Sequence, residues 1–166
     1  MSWKNDVTKI VRALINDFDG NTYADSRIEE VAIVAAYKVY SEISFNNTYT
    51  ITLSTETISP DPTSNSDNDF ISLVALKAAC IFLRSEAKTQ ASSAISMTDG
   101  PSSISLKGVY EALKSEADDV CKKYDEAKNQ YAFNGSVGLA ILGPYAPGSG
   151  NVGGRHPDNS GGTIFE

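Results

Sequence analysis

Histidine is nearly absent from this sequence: there is one, His156, and it lies in a C-terminal segment rich in glycine. The rest of the chain therefore has no Ser–His or Cys–His pair for nucleophilic catalysis and no imidazole to bind a metal. Neighbouring carboxylates such as Asp118 and Asp119 point in different directions on a helix, which is typical of a solvated charged face. We predict that the protein is not an enzyme and has no cofactor, metal site or catalytic residue.

Cysteine is also scarce, with two residues, Cys80 and Cys121. Each falls on the apolar side of a predicted helix, where a free thiol usually behaves as a small buried hydrophobic group. Because cytosolic thiols stay reduced, we expect the two cysteines to be free rather than joined in a disulfide.

Long apolar runs and an excess of basic residues are missing as well. No stretch approaches the roughly 18 consecutive apolar residues of a membrane-spanning helix, and the N-terminus is unlike a signal or transit peptide. We therefore expect a soluble protein, made in a cytoplasm, with no membrane partner. The net charge of -7 argues against a nucleic-acid clamp, because such clamps neutralise phosphates with Lys and Arg.

The residues that are present predict a mainly α fold, a body of four helices. Apolar side chains at three- and four-residue steps from Trp3 to Phe18 define the first helix, which Asp19-Gly20 ends. Capping-box spacing at Ser26–Glu29 opens the second helix, whose apolar face continues to Ile43.

The third helix is predicted from about Phe70 to Lys88, with Asp67 or Asp69 as its cap. Small and polar residues over 89–103 favour a loop with at most a short helical turn. The fourth helix starts at Leu106 and extends for about 26 residues, or roughly 39 Å. A body of this size does not bury such a helix on all sides, so we expect its distal half to meet another subunit.

Between the second and third helices the apolar period becomes alternating, which indicates a small β insertion at about residues 46–60. Tyr49, Ile51 and Leu53 point to one side and the intervening threonines to the other, with residues 55–58 as a possible returning strand. A hairpin alone is marginally stable in water, so it must lie on the helices or pair with another chain.

Residues 134–166 differ in composition from the rest of the chain. They hold nine of the twelve glycines, three of the six prolines and only three formal charges. We predict a helical body over residues 1–133 and a long extended C-terminal arm over 134–166, which can reach about 110 Å. Apolar side chains along the arm are the predicted partner-binding anchors: Leu139, Ile141, Leu142, Pro144, Tyr145, Ile164 and Phe165.

Two strings imitate ligand sites. Residues 148–153 match G-x-G-x-x-G, but prolines bracket the string and no helical period follows, which favours a flexible spacer over a nucleotide-dependent enzyme. Asn65, Asp67 and Asp69 imitate a calcium loop, but Phe70 occupies the glycine position, so helix capping is the favoured interpretation.

Four segments, taken in order and spacing, carry a resemblance: DSRIEE at 25–30, ISPDPT at 58–63, TDGP at 98–101 and GPY at 143–145. They resemble the head-to-tail connector proteins, also called adaptor or neck proteins, of tailed bacteriophages, particularly myoviruses of cyanobacteria. The resemblance covers most of the chain. None of the segments is a catalytic motif.

The resemblance implies a homo-oligomeric ring in the virion neck, commonly of twelve copies, assembled in the host cytoplasm and seated below the portal protein. The arm would reach the portal or the next neck or tail-completion protein, and DNA would pass through the ring without specific binding. A stopper or tail-completion protein of the same virion is the alternative.

Two further residue sets belong to this hypothesis. Acidic residues on the fourth helix would keep phosphates off the lumen wall: Glu111, Glu116, Asp118 and Asp119. Aromatic and apolar residues on the strand and the distal helix would form subunit contacts: Tyr49, Ile51, Leu53, Tyr124, Tyr131 and Phe133.

Overall fold

The computed structural model describes residues 2–96 and 106–134. Its elements follow in the order α1 (Trp3–Leu14), α2 (Asp25–Glu42), β1 (Thr50–Thr52), β2 (Thr57–Ser59), α3 (Asn68–Ser96) and α4 (Leu106–Asn134). A mainly helical fold with a small two-stranded insertion is therefore confirmed. The chain divides into a unit of Met1–Lys128 and a unit of Asn129–Glu166, and most of the predicted arm lies outside the described residues.

Helix α3 is the centre of the first unit, where it packs against both α1 and α2. Between Phe70 and Leu83 it presents apolar side chains in nearly every direction, and Val74 and Phe82 are at most 1% exposed. A helix that is apolar all round has no amphipathic period, which is typical of a helix surrounded by others.

Helix α3 is longer than the sequence predicts. It continues through the small and polar residues after Lys88 to Ser96, so the predicted loop beginning at residue 89 is wrong at its start. The hydroxyl of Thr89 donates to the carbonyl of Ser85 (3.1 Å), and that of Ser92 donates to the carbonyl of Thr89 (2.8 Å). These hydroxyls find partners within the helix, so they do not end it.

Helix α1 buries Trp3, Val7 and Val11, as its apolar stripe predicts, but the stripe does not reach Phe18. The helix ends at Leu14, and Asn16 takes a left-handed conformation with φ 57°. The chain turns there, and Phe18 is 72% exposed in the connection to α2. We name residues 15–24 the Phe18 loop.

Helix α2 buries the predicted face from Ile28 to Val39, but the predicted capping box is not what starts it. The helix begins at Asp25 after Ala24, and no side chain caps it. The carboxylate of Glu29 instead binds Lys4 Nζ at 3.1 Å, and that of Asp25 binds Arg12. An ion pair with Lys4 of α1 has taken the Glu29 side chain that the capping box would use.

The two strands form an antiparallel hairpin in which Ile51 pairs with Ile58. The hairpin lies on the helices of its own chain. Lys4 of α1 binds the carboxylate of Glu56 at 3.0 Å, and the Tyr49 N–H donates to the Tyr40 hydroxyl of α2 at 3.3 Å. Ile58 is buried with 6% of its surface exposed, so the insertion contributes to the core.

A disulfide joins Cys80 of α3 to Cys121 of α4, and the expectation of two free thiols is therefore wrong. Their Cα atoms are 4.9 Å apart, within the range that a disulfide spans. Both residues do lie on the apolar faces of their helices, as predicted, and each is 5% exposed. The error came from an assumption about the compartment, whereas the pairing depends on how α4 packs on α3.

Candidate interaction surfaces

One carboxylate, that of Glu42 at the end of α2, holds three helices together. Its Oε1 accepts a hydrogen bond from Lys77 of α3 at 3.0 Å. Its Oε2 accepts from the Tyr124 hydroxyl at 2.8 Å and from Lys128 Nζ at 3.0 Å, both on α4. The Lys77 ammonium also lies 4.3 Å from the centroid of the Tyr124 ring, a cation–π contact. We call these four residues the Glu42 cluster.

The Glu42 cluster favours the charged carboxylate. Desolvation by burial acts to raise the pKa of Glu42, but hydrogen bonds from Lys128, Lys77 and Tyr124 outweigh it and lower the pKa to about 2. Burial and the bond to Glu42 raise the pKa of Tyr124 above its ordinary value of 10.0. The tyrosine is therefore a permanent donor at neutral pH, and the cluster acts as a structural tie.

A second carboxylate, that of Asp67, joins β1 to the start of α3. Its Oδ1 accepts from the Phe70 N–H at 3.1 Å, which confirms the predicted helix cap. Its Oδ2 accepts from the Tyr49 hydroxyl at 2.7 Å and from Asn47 at 2.8 Å. Burial and the bond to Asp67 raise the pKa of Tyr49 to about 12.

These two clusters decide where the predicted subunit-contact residues lie. Tyr49 and Tyr124 are 3% and 1% exposed, so their rings pack inside their own chain and offer no surface to a neighbour. Sequence periodicity placed both on apolar faces but did not show which faces the chain covers by itself. Ile51 is half-buried, and Leu53 at the hairpin turn is 47% exposed.

Two further predicted contact residues lie beyond Lys128 in the second unit. There Tyr131 is half-buried and Phe133 is 61% exposed. The seven anchor residues of the arm, from Leu139 to Phe165, lie outside the described residues, as does the G-x-G-x-x-G string.

The predicted channel-lining carboxylates all lie on the solvent-exposed side of α4: Glu111, Glu116, Asp118 and Asp119. Asp118 is 3.6 Å from the Arg84 guanidinium of α3, with both side chains 58% exposed. This exposed pair weakly offsets the negative charge at one position, because surface ion pairs are screened by water and salt.

The Phe18 loop presents an exposed aromatic ring that the sequence analysis placed on the apolar stripe of the first helix. Arg12 holds the loop: its guanidinium binds the Asp17 carboxylate, donates to the Tyr23 carbonyl at 2.9 Å and reaches Asp25 at 2.5 Å. An open, polar concavity of about 300 Å³ lies beside the ring, lined by Asn16, Asp17, Phe18, Asp19, Asn21 and Thr22.

Sequence reasoning also missed an apolar pair on the outer face of α2. Val34 and Tyr37 are 41% and 54% exposed, and their spacing of one helical turn places them on the same side. Helical periodicity could have found them, because they lie opposite the buried Ile28 and Val39.

Over residues 2–96 and 106–134, no cluster of three or more His, Cys, Asp or Glu side chains has the geometry to hold a metal ion. Among the described helices, none combines the length and the apolar character that crossing a bilayer requires.

No family model, curated protein or solved structure matches this chain.

Proposed function

We propose that this chain is a structural virion protein, an adaptor that forms a ring at the neck of a tailed bacteriophage. The ring joins the portal protein to the next neck or tail-completion protein and lets DNA pass. The four sequence segments that resemble phage connector proteins, taken in their order along the chain, support this proposal, as does the mainly helical body with its hairpin insertion.

One observation carries the proposal: the contrast between the helical unit and the segment that follows it. The unit buries several of its large aromatic side chains, including Tyr49 and Tyr124. Residues 134–166 hold most of the glycines together with recurring apolar anchors, a composition suited to a segment that is ordered against a partner. We assign portal binding to this segment, with Leu142 and Tyr145 among its anchors.

The anchors can be tested in the full-length chain with purified portal protein. We expect the double variant Leu142→Ser/Tyr145→Ser to bind portal at least about tenfold more weakly, because each serine removes apolar surface that the complex would bury. The matched control is Ser149→Ala/Asn151→Ala in the same segment. Circular dichroism should show unchanged helicity in both. Portal binding at the wild-type level by the first variant would remove the arm from the proposal.

The neighbour of the arm distinguishes the adaptor from a stopper or tail-completion protein. A photo-crosslinking residue at position 145 or 165 should capture the portal protein in assembled particles. Capture of a tail protein instead would favour the alternative.

Subunit contacts in the described part of the chain are assigned to three of its exposed apolar side chains, Leu53, Val34 and Tyr37. Electron microscopy of the portal complex should show a ring for the wild type. Replacing Val34 and Tyr37 together with serine should reduce ring formation without loss of helicity, whereas Ser41→Ala on the same helix should not. Unchanged rings in the double variant would place the contact elsewhere.

The acidic face of α4 is proposed to line the DNA channel. Reversing Glu111, Glu116, Asp118 and Asp119 to lysine should create binding to duplex DNA that weakens steeply as salt increases. The wild-type ring should show no such binding. In assembled particles the lysine variant should hold the DNA in the channel and slow its passage. If DNA passes through this variant as it does through the wild type, the acidic face does not line the channel.

A further inference from the structure

The docking of α4 is concentrated in a short part of the helix. Among its described side chains, those that are buried are Ala117, Val120, Cys121 and Tyr124. Tyr110 and Leu113 before them are half-buried, and the residues between are mostly exposed. The covalent bond to Cys80 and the bond from Tyr124 to Glu42 are therefore three residues apart on one face of α4.

The two cysteines of this contact are buried. Cys80 and Cys121 are each 5% exposed, and a thiolate must approach along the axis of the S–S bond to exchange with it. Reduction of the folded protein therefore requires that α4 first separate from α3.

We propose that Cys80 and Cys121 form a redox-controlled clamp on α4, and that the Glu42 cluster gates access to it. In the oxidised state α4 is fixed to α3 by a covalent bond. In the reduced state its attachment depends on the short buried face and the Glu42 cluster, so the same helix is released more readily.

The gating role of Glu42 follows from the arrangement of the two attachments. Glu42 binds Tyr124 and Lys128, which lie on the C-terminal side of Cys121, and it also binds Lys77 on the partner helix. These bonds break when α4 moves away, and none involves a sulfur atom. Weakening them raises the population of the open state and leaves the intrinsic reactivity of the disulfide unchanged.

The chemistry of the clamp is thiol–disulfide exchange. A thiolate of dithiothreitol attacks one protein sulfur, the other sulfur leaves as a thiolate, and a mixed disulfide forms. The second thiol of the reagent then releases the protein, giving two protein thiols and one cyclic disulfide of the reagent. In the reverse direction, glutathione disulfide accepts the two electrons and yields two molecules of glutathione.

The test compares reduction rates of the oxidised full-length protein by dithiothreitol, measured by trapping free thiols with a maleimide and by mass spectrometry. We expect Glu42→Gln to be reduced about tenfold faster than wild type, because it removes the negative charge from all three bonds of the cluster. Lys128→Gln, which removes the positive charge from one of these bonds, should be reduced about threefold faster. Glu30→Gln, at an exposed position on the same helix, should match the wild type. In concentrated urea all four proteins should react at one rate.

Amide hydrogen exchange separates a local clamp from general destabilisation. On reduction of the wild type, we expect residues 117–128 to lose protection by at least about tenfold more than residues 28–39 and 70–79. Equal loss in all three segments would overturn the clamp. Equal reduction rates for Glu42→Gln and Glu30→Gln in native buffer would overturn the gate.

Discussion

The hydroxyl of Tyr124 donates a hydrogen bond to Oε2 of Glu42 at 2.8 Å, which ties α4 to the end of α2. Residue 124 follows residue 42 by more than eighty positions, and no local pattern connects them. The contact explains why an aromatic residue on a long, charged helix is 1% exposed. It also has consequences for stability that can be measured.

Protonation of the Glu42 carboxylate in acid should lower the stability of the first unit. Its pKa in the folded protein is about 2, below the ordinary value of 4.5. A carboxyl with a lowered folded pKa stabilises the fold above its unfolded pKa, and this contribution is lost as pH falls from about 4.5 towards 2. After allowance for partial exposure, we expect about 2 kcal/mol in the free energy of unfolding.

The measurement is urea unfolding of the wild type and Glu42→Gln over this pH range. Asp17, Asp61 and Asp67 also have lowered pKa values, so the difference between the two proteins is the relevant quantity. The difference should shrink as pH falls. A difference that stays constant from neutral pH to pH of about 2 would contradict the assignment.

The disulfide should be a major source of stability. It joins residues 41 positions apart, and closing a loop of that length lowers the entropy of the unfolded chain. We expect Cys80→Ala/Cys121→Ala to lower the free energy of unfolding by about 3 to 4 kcal/mol. Reduction of the wild type should give a similar loss, and dithiothreitol should not affect the variant. The prediction fails if the wild type, once shown to be fully reduced by dithiothreitol, keeps the free energy of unfolding of the oxidised protein.

Replacing either of two glycines with alanine should change the stability of the protein, and the two changes should have opposite signs. Gly20 in the Phe18 loop has φ 67°, and a Cβ there would lie 3.3 Å from the Arg12 guanidinium. Gly20→Ala should therefore cost about 1 to 2 kcal/mol of stability. Gly108 in α4 has open space around it, and Gly108→Ala should stabilise the helix by about 0.5 kcal/mol. Thermal unfolding checks both, and a stabilising Gly20→Ala would show that the loop is not held as described.

Removing the hydroxyl of Thr8 should make the folded protein more stable. Its side chain is 9% exposed in α1, and within the described residues its Oγ1 has no hydrogen-bond partner. Valine has nearly the same shape without the unsatisfied oxygen, so we expect Thr8→Val to add about 1 kcal/mol. Thr8→Ser keeps the oxygen and loses a methyl group, so it should destabilise the protein. Chemical denaturation of the two variants should therefore shift in opposite directions, and a shift in the same direction would refute this explanation.

Much of the secondary structure could be predicted from local pattern. The period of the apolar residues gave α1, α2, α4 and the hairpin, and Asp67, which caps α3, was one of the two predicted caps. The C-terminal ends of α1 and α3 were not predicted correctly. Phe18 continues the spacing of α1, yet a left-handed Asn16 turns the chain before it, and residues 89–96 look loop-like while their hydroxyls bond within the helix.

Local pattern was enough to place the four helices, apart from the ends of α1 and α3, to locate the hairpin, and to set residues 134–166 apart by composition. The packing of the helices against one another is what brings Cys80 to Cys121, joins Glu42 of α2 to α3 and α4, and turns Tyr49 and Tyr124 inward. Helical and strand periods arise from neighbouring residues, whereas pairing between helices depends on how distant faces pack around α3, and no single segment encodes that arrangement.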